Sequence, residues 1–83
     1  MDEPQLYAQL TDVVRDVLDD DTIVLTAATR AKDVRGWDSA THIEIIVSIE
    51  ARYGIRFTTP ELGTIENVGD IVKAVERKLA KRT

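Results

Sequence analysis

Ser39 follows Asp38 and opens an apolar, helix-forming stretch, so its hydroxyl falls where a helix leaves its first backbone amides unpaired. Those amides and the positive end of the helix dipole favour an anion, and a phosphate ester on Ser39 would be stabilised there. Plain capping by Asp38 or Ser39 uses the same residues and is the commoner reason for an Asp-Ser pair. His42 lies three residues on, over the next turn, but a general base needs a reacting proton and an orienting partner within hydrogen-bond reach. No Gly-x-Ser-x-Gly elbow surrounds Ser39, which argues against a serine nucleophile. The chain has no cysteine and one histidine, excluding a thiol nucleophile, a thiolate metal site and a disulfide framework. Asp19-Asp20-Asp21 lacks the alternating ligands and glycine of a calcium loop and reads as a solvated helix exit. No metal site and no converging acid-base pair is expected, so the chain is not expected to be an enzyme.

The elements that position Ser39 follow from periodicity. Leu6, Leu10, Val13, Val14, Val17 and Leu18 recur at threes and fours, which predicts a first helix from Pro4 to Leu18 with Asp2 or Glu3 at its positive end. A connection of 17 residues, Thr22 to Asp38, carries short apolar pieces and ends in the turn Gly36-Trp37-Asp38. Loops of that length are functional or pack across the core. A second helix spans Ser39 to Tyr53 and is closed by Gly54. Ile55-Arg56-Phe57 is extended, and Thr59-Pro60 starts a short helix, with Thr59 as its cap and Gly63 interrupting it. Asn67 caps a last helix whose buried stripe is Val68, Ile71, Val72, Val75 and Leu79. The expected architecture is all-α, a small four-helix bundle of three long helices and one short one, forming one domain over residues 1–83.

On the second helix, Ile45, Ile46, Ile49 and Tyr53 form the core face, with Ile43 at its edge. Beside it runs a separate stripe of Ala40, Glu44, Val47 and Ala51. The stripe suits either an ordinary helix flank or a docking face for a partner with basic and apolar groups.

Composition narrows the class. The chain has 83 residues, 43% apolar but only 5% aromatic, so the core is aliphatic. Its net charge of −4 is split between seven acids in residues 1–21 and five bases in residues 73–83. The acidic balance opposes nucleic-acid binding, and the basic end suits the C-terminal dipole of the last helix. Neither a signal pattern nor a membrane-length apolar run is present. The expectation is a soluble, cytoplasmic monomer without membrane insertion.

Three segments, Val34-Arg35-Gly36-Trp37-Asp38-Ser39, Ile43-Glu44-Ile45-Ile46 with Ile49-Glu50, and Tyr53-Gly54-Ile55, resemble the acyl carrier proteins and related phosphopantetheine carriers. The helix order extends the resemblance over nearly the whole chain. It implies that Ser39 is the attachment point for 4′-phosphopantetheine, placed there by a phosphopantetheinyl transferase, with Asp38 assisting near the magnesium site. It also implies that Glu44, Glu50, Ala40, Val47 and Ala51 belong to a docking face for acyl-loading and acyl-processing enzymes. Ile46, Ile49, Phe57, Leu62 and Ile65 match positions around a pocket that shelters an acyl chain. Ala40 stands where the family usually has Leu, and Thr41, Ala51 and Arg52 stand where acids are common. Trp37 resembles carriers of specialised pathways. A dedicated lipid or polyketide carrier is the leading expectation, and an unmodified helical adaptor using the same helix face is the alternative.

Overall fold

A computed structural model describes residues 3–81; Asp2 and Arg82, counted above among the terminal charges, lie outside the described residues. Helix α1 spans Glu3–Leu18, α2 Ser39–Tyr53, α3 Thr59–Thr64 and α4 Val68–Ala80, with a single 3-10 turn at Ala31–Asp33. Among the described residues there is no strand. The all-α expectation of three long helices, one short helix and a long α1–α2 loop holds.

The core is aliphatic and continuous. Leu6, Leu10 and Val14 of α1, Ile45 and Ile49 of α2, and Val68, Val72 and Val75 of α4 are fully buried and belong to one cluster. Leu79, expected in the α4 stripe, is only partly buried against it. Helix α1 packs on both α2 and α4, and the Tyr53 hydroxyl of α2 donates to Gln9 Oε1 of α1.

The long loop packs rather than wanders. Ile23, Leu25 and Trp37 enter the core, while Val24 between the first two is 72% exposed. The Arg15 Nε donates to the Ile23 carbonyl at 2.8 Å, tying the loop to α1. Further on, the carbonyls of Thr29 and Ala27 accept from Val68 N–H at 2.8 Å and Gly69 N–H at 3.0 Å. The loop thereby satisfies two of the amides that the start of α4 would otherwise leave unpaired. Asn67 Oδ1 accepts a third, from Asp70 at 2.9 Å, as the expected cap. A side chain at Gly69 would stand 3.0 Å from the Ala27 oxygen, so the glycine permits the close approach.

Helix α3 departs from expectation in two respects. Its cap is Thr58, not Thr59: the Thr58 hydroxyl accepts from Glu61 N–H, and Glu61 Oε1 accepts from Thr58 N–H at 2.8 Å. That reciprocal box needs an acid three residues after the cap, and only Thr58 has Glu61 at that distance. Gly63 lies inside the helix, which continues to Thr64.

No residue of α3 is buried, so its attachment depends on few contacts. Lys78 Nζ of α4 meets Glu61 Oε1 at 2.7 Å and sits 5.5 Å from the centre of the Phe57 ring. The Lys78 hydrogen bond, followed by the Thr58 amide, holds the Glu61 carboxyl down at about 2 from an ordinary value of 4.5. The unfolded chain therefore takes up this proton first as pH falls, so Glu61 contributes stability that is complete above about 4.5 and lost towards about 2. Lys78→Met is expected to flatten that acid limb in urea melts, leaving the shares of Asp20 and Asp38, both also lowered. An unchanged acid limb would mean that the ion pair contributes nothing to the attachment of α3.

Candidate functional site

The turn before α2 is built to hold Ser39 at the first helical position. Gly36 has φ of +90°, a conformation that side chains with a Cβ rarely adopt, and it redirects the loop into the helix. Asp38 is the cap: its Oδ1 accepts from Thr41 N–H at 3.0 Å, while Asp38 N–H donates to the Thr41 hydroxyl at 2.8 Å. The Thr41 hydroxyl in turn donates to the Gly36 carbonyl at 2.8 Å. The Thr41 amide and hydroxyl together hold the Asp38 carboxyl below its usual range. Thr41, noted in the sequence only as a missing acid, is the reciprocal partner of the cap.

A second link brackets the same residue. The Trp37 indole N–H donates to His42 Nδ1 at 3.0 Å, edge to edge, with the ring planes 27° apart and their centres 6.1 Å apart. Trp37 precedes the cap and His42 is the fourth helical residue, the pair of positions that forms a hydrophobic staple. Burial lowers the pKa of His42. The five-residue spacing around an Asp cap was the signal that could have revealed this contact in the sequence.

Between these two links the Ser39 side chain is exposed. Among the described residues its hydroxyl has no hydrogen-bond partner, because the cap is made by Asp38 and Thr41. The chemistry fits a phosphate ester: an exposed hydroxyl without a partner for the bond, and the positive end of the α2 dipole for the charge.

The outer face of α2 is more apolar than the sequence suggested. Ile43, placed at the edge of the core face, is instead 55% exposed, as is Val47 one turn on. Their side chains, with Glu44, Ser48 and Val17 of α1, line a shallow depression of about 390 Å³. Ala40, Glu44 and Ala51 are exposed along the same helix. Glu50 differs from Glu44. Its Oε2 accepts from Phe57 N–H at 2.8 Å, and its carbonyl accepts from the amides of Gly54 and Ile55. Glu50 thus anchors the turn that leaves α2. A neighbouring groove of about 720 Å³ joins Ala51 and Arg52 to Asp12, Asp16, Asp19 and Asp21, so acids of α1 and its exit border α2 where α2 itself has none.

The five expected acyl-pocket residues are divided. Ile49 is fully buried in the core cluster and Ile46 is buried as well. Phe57 and Ile65 are partly buried against the cluster, and Leu62 has intermediate exposure. Ile65 also lines a surface pocket of about 230 Å³ with Glu61, Asp70, Lys73 and Arg77.

Four helices, a long packed loop and an exposed serine opening α2 define a small all-helical domain. No family model matches the chain. It is 36% identical over 73 residues to the acyl carrier protein MbtL of Mycolicibacterium paratuberculosis, spanning 88% of this chain and 82% of that one. It is 25% identical over 75 residues to the acyl carrier protein of Thermotoga maritima, spanning 90% and 93% of the two chains. The solution structure of the holo acyl carrier protein from Geobacter metallireducens superposes with a TM-score of 0.87 at 46% identity, over 92% of this chain and 87% of that one. The chain belongs to the acyl carrier protein family, and its role is that of a carrier.

Proposed function

We propose that Ser39 carries a 4′-phosphopantetheine arm, transferred from coenzyme A by a phosphopantetheinyl transferase, with Asp38 facing the transferase's magnesium. The observation that carries this reading is the exposed Ser39 hydroxyl, free of partners among the described residues and held at the head of α2. Once attached, the arm supplies a thiol on which acyl groups are held as thioesters. The protein's own contribution is to hold the attachment point and to be recognised by successive enzymes. Tethering raises the local concentration of cargo at each of them. The test is to load the purified protein with coenzyme A, magnesium and a transferase, then map the added mass by proteolysis. Its appearance on the peptide containing Ser39 is expected; an adduct elsewhere, or none with the cognate transferase, would refute the assignment.

Partner enzymes dock on the outer face of α2 through Ala40, Glu44, Val47 and Ala51, a reading supported by the exposure of Val47 and of the neighbouring Ile43. Glu50 takes part through the loop it anchors. Because the carrier must leave each enzyme, this contact is small, charge-assisted and short-lived. Glu44 is exposed and has no ionic partner among the described residues. Glu44→Lys is therefore expected to slow acyl transfer by on the order of tenfold at low salt, less at high salt, with the fold intact. Salt-independent kinetics equal to wild type would remove Glu44 from the docking face.

The cargo shelters among Ile46, Ile49, Phe57, Leu62 and Ile65, entering beside α3, the helix with no buried residue. Such entry displaces packed side chains rather than filling an open cavity. The departures at Ala40, Thr41, Ala51 and Arg52, together with Trp37, support a carrier dedicated to one specialised pathway. Separately, we infer that it acts as a cytoplasmic monomer. Comparable transfer rates with a general fatty-acid ketosynthase and with its own pathway enzymes would contradict dedication. No helix among the described residues is long and apolar enough to cross a membrane.

A further inference from the structure

We propose that His42 is a positioning residue for the arm, its Nε2–H donating a hydrogen bond to the phosphodiester on Ser39. The inference rests on the attachment proposed above and concerns what this chain does with the group once it is there.

The argument begins with the indole. Trp37 Nε1 can only donate, so at 3.0 Å from His42 Nδ1 it requires that nitrogen to be unprotonated. A neutral imidazole with a bare Nδ1 carries its proton on Nε2. The Trp37 contact therefore selects one tautomer, and the hydrogen bond, with the two ring planes 27° apart, fixes the plane in which the remaining N–H lies. Trp37 is itself 7% exposed and part of the core cluster, so the ring that sets this orientation is anchored.

That remaining N–H is available. Among the described residues no bond to His42 Nε2 is formed, and no buried side-chain nitrogen or oxygen lacks a partner, so the Nε2 end of the ring is not sealed from solvent. Ser39 and His42 are the first and fourth residues of α2. Residues three apart on a helix share a face, with roughly 5–6 Å between their Cβ atoms. A phosphodiester on the Ser39 oxygen adds two anionic acceptor oxygens on that face. Hydrogen bonds to charged acceptors are about twice as strong as neutral ones. The Asp38 carboxylate beside Ser39 is turned towards the Thr41 amide, from which its Oδ1 accepts. Burial, which lowers the pKa of His42, keeps the ring in the neutral form that Trp37 requires.

His42 is the only histidine in the chain, so its ring nitrogens can be followed without assignment ambiguity. The experiment compares the protein before and after loading, with mass spectrometry establishing the arm on Ser39 first. Long-range nitrogen-proton spectra at pH about 7.5, above the ordinary histidine range, are expected to show the Nε2-protonated tautomer in both forms. Loading is expected to move the Nε2 proton downfield. The phosphorus resonance of the arm is expected to differ between wild type and His42→Phe, which keeps a ring against Trp37 but removes the donor. His42→Gln, which restores an N–H, is expected to recover part of that difference. Trp37→Phe is expected to release the tautomer preference while the arm still attaches. The wild-type comparison needs no variant, so a failure of any substitution to fold leaves the test intact. A loaded protein whose His42 resonances do not move on loading overturns the role of His42 alone. A protein that acquires no mass on Ser39 overturns the attachment itself, before any ring signal is read.

Discussion

Alanine at position 39 is expected to leave a folded protein that accepts no prosthetic arm. The two halves of that result have separate physical grounds. Loading fails because the oxygen that forms the phosphate ester is gone, and no neighbour replaces it: the Thr41 hydroxyl is already bonded to the Asp38 amide and the Gly36 carbonyl. The fold survives because Ser39 does not cap α2; Asp38 does. Alanine is the best helix former, and removing an exposed hydroxyl without a partner costs no hydrogen bond. The expected change in stability lies within about 0.5 kcal/mol. Asp38→Ala provides the contrast, since it removes the cap and is expected to lower the melting temperature where Ser39→Ala does not. Intact mass after treatment with the transferase reads the first half, and thermal melting the second. A Ser39→Ala protein that still gains the arm would place the attachment elsewhere. One that gains nothing yet still supports its pathway would point to the unmodified adaptor, which needs only the helix face.

The contrast between Ser39 and Asp38 also shows what could be read before the structure. Helix-length segments were legible because their apolar spacing is regular and their ends carry chemistry that acts locally. Asn67 and Gly54 are such ends; Gly54 takes the left-handed conformation at φ of 65° that closes α2. The same local logic holds at Thr58, where the acid three residues on distinguishes two adjacent threonines. What periodicity does not determine is how far a neighbouring element covers a helix flank. Ile43 sits at the boundary of the core face by angle alone, and whether it is buried depends on where α1 ends its contact. Glu50 is a similar case. Its position on α2 says nothing of the chain returning after Gly54 to place the Phe57 amide against its carboxylate. The acids of α1 that border α2 are separated from it by the whole loop, so their proximity to Ala51 and Arg52 belongs to tertiary structure.

Ile49→Ala carries the largest expected cost in stability and also probes the pocket. Ile49 is fully buried where α1, α2 and α4 meet in one cluster. Truncating such a residue removes its transfer free energy and leaves a cavity, together about 2–5 kcal/mol. A domain of 83 residues has a total stability of roughly 4–12 kcal/mol, so the loss is a substantial part of the whole. The melting temperature is expected to fall by roughly 4–8 °C for each kcal/mol. An unchanged melting temperature would mean that the helices close over the gap, and hence that the interior is unusually compliant. The same cavity distinguishes two places for the cargo. If an acyl chain enters among Ile46, Ile49 and Phe57, it fills the space left by the truncation without first displacing a side chain. The acylated Ile49→Ala protein should then regain more of its stability than acylation adds to the wild type. Equal gains in the two proteins would place the chain outside this part of the core, against the surface near Ile65.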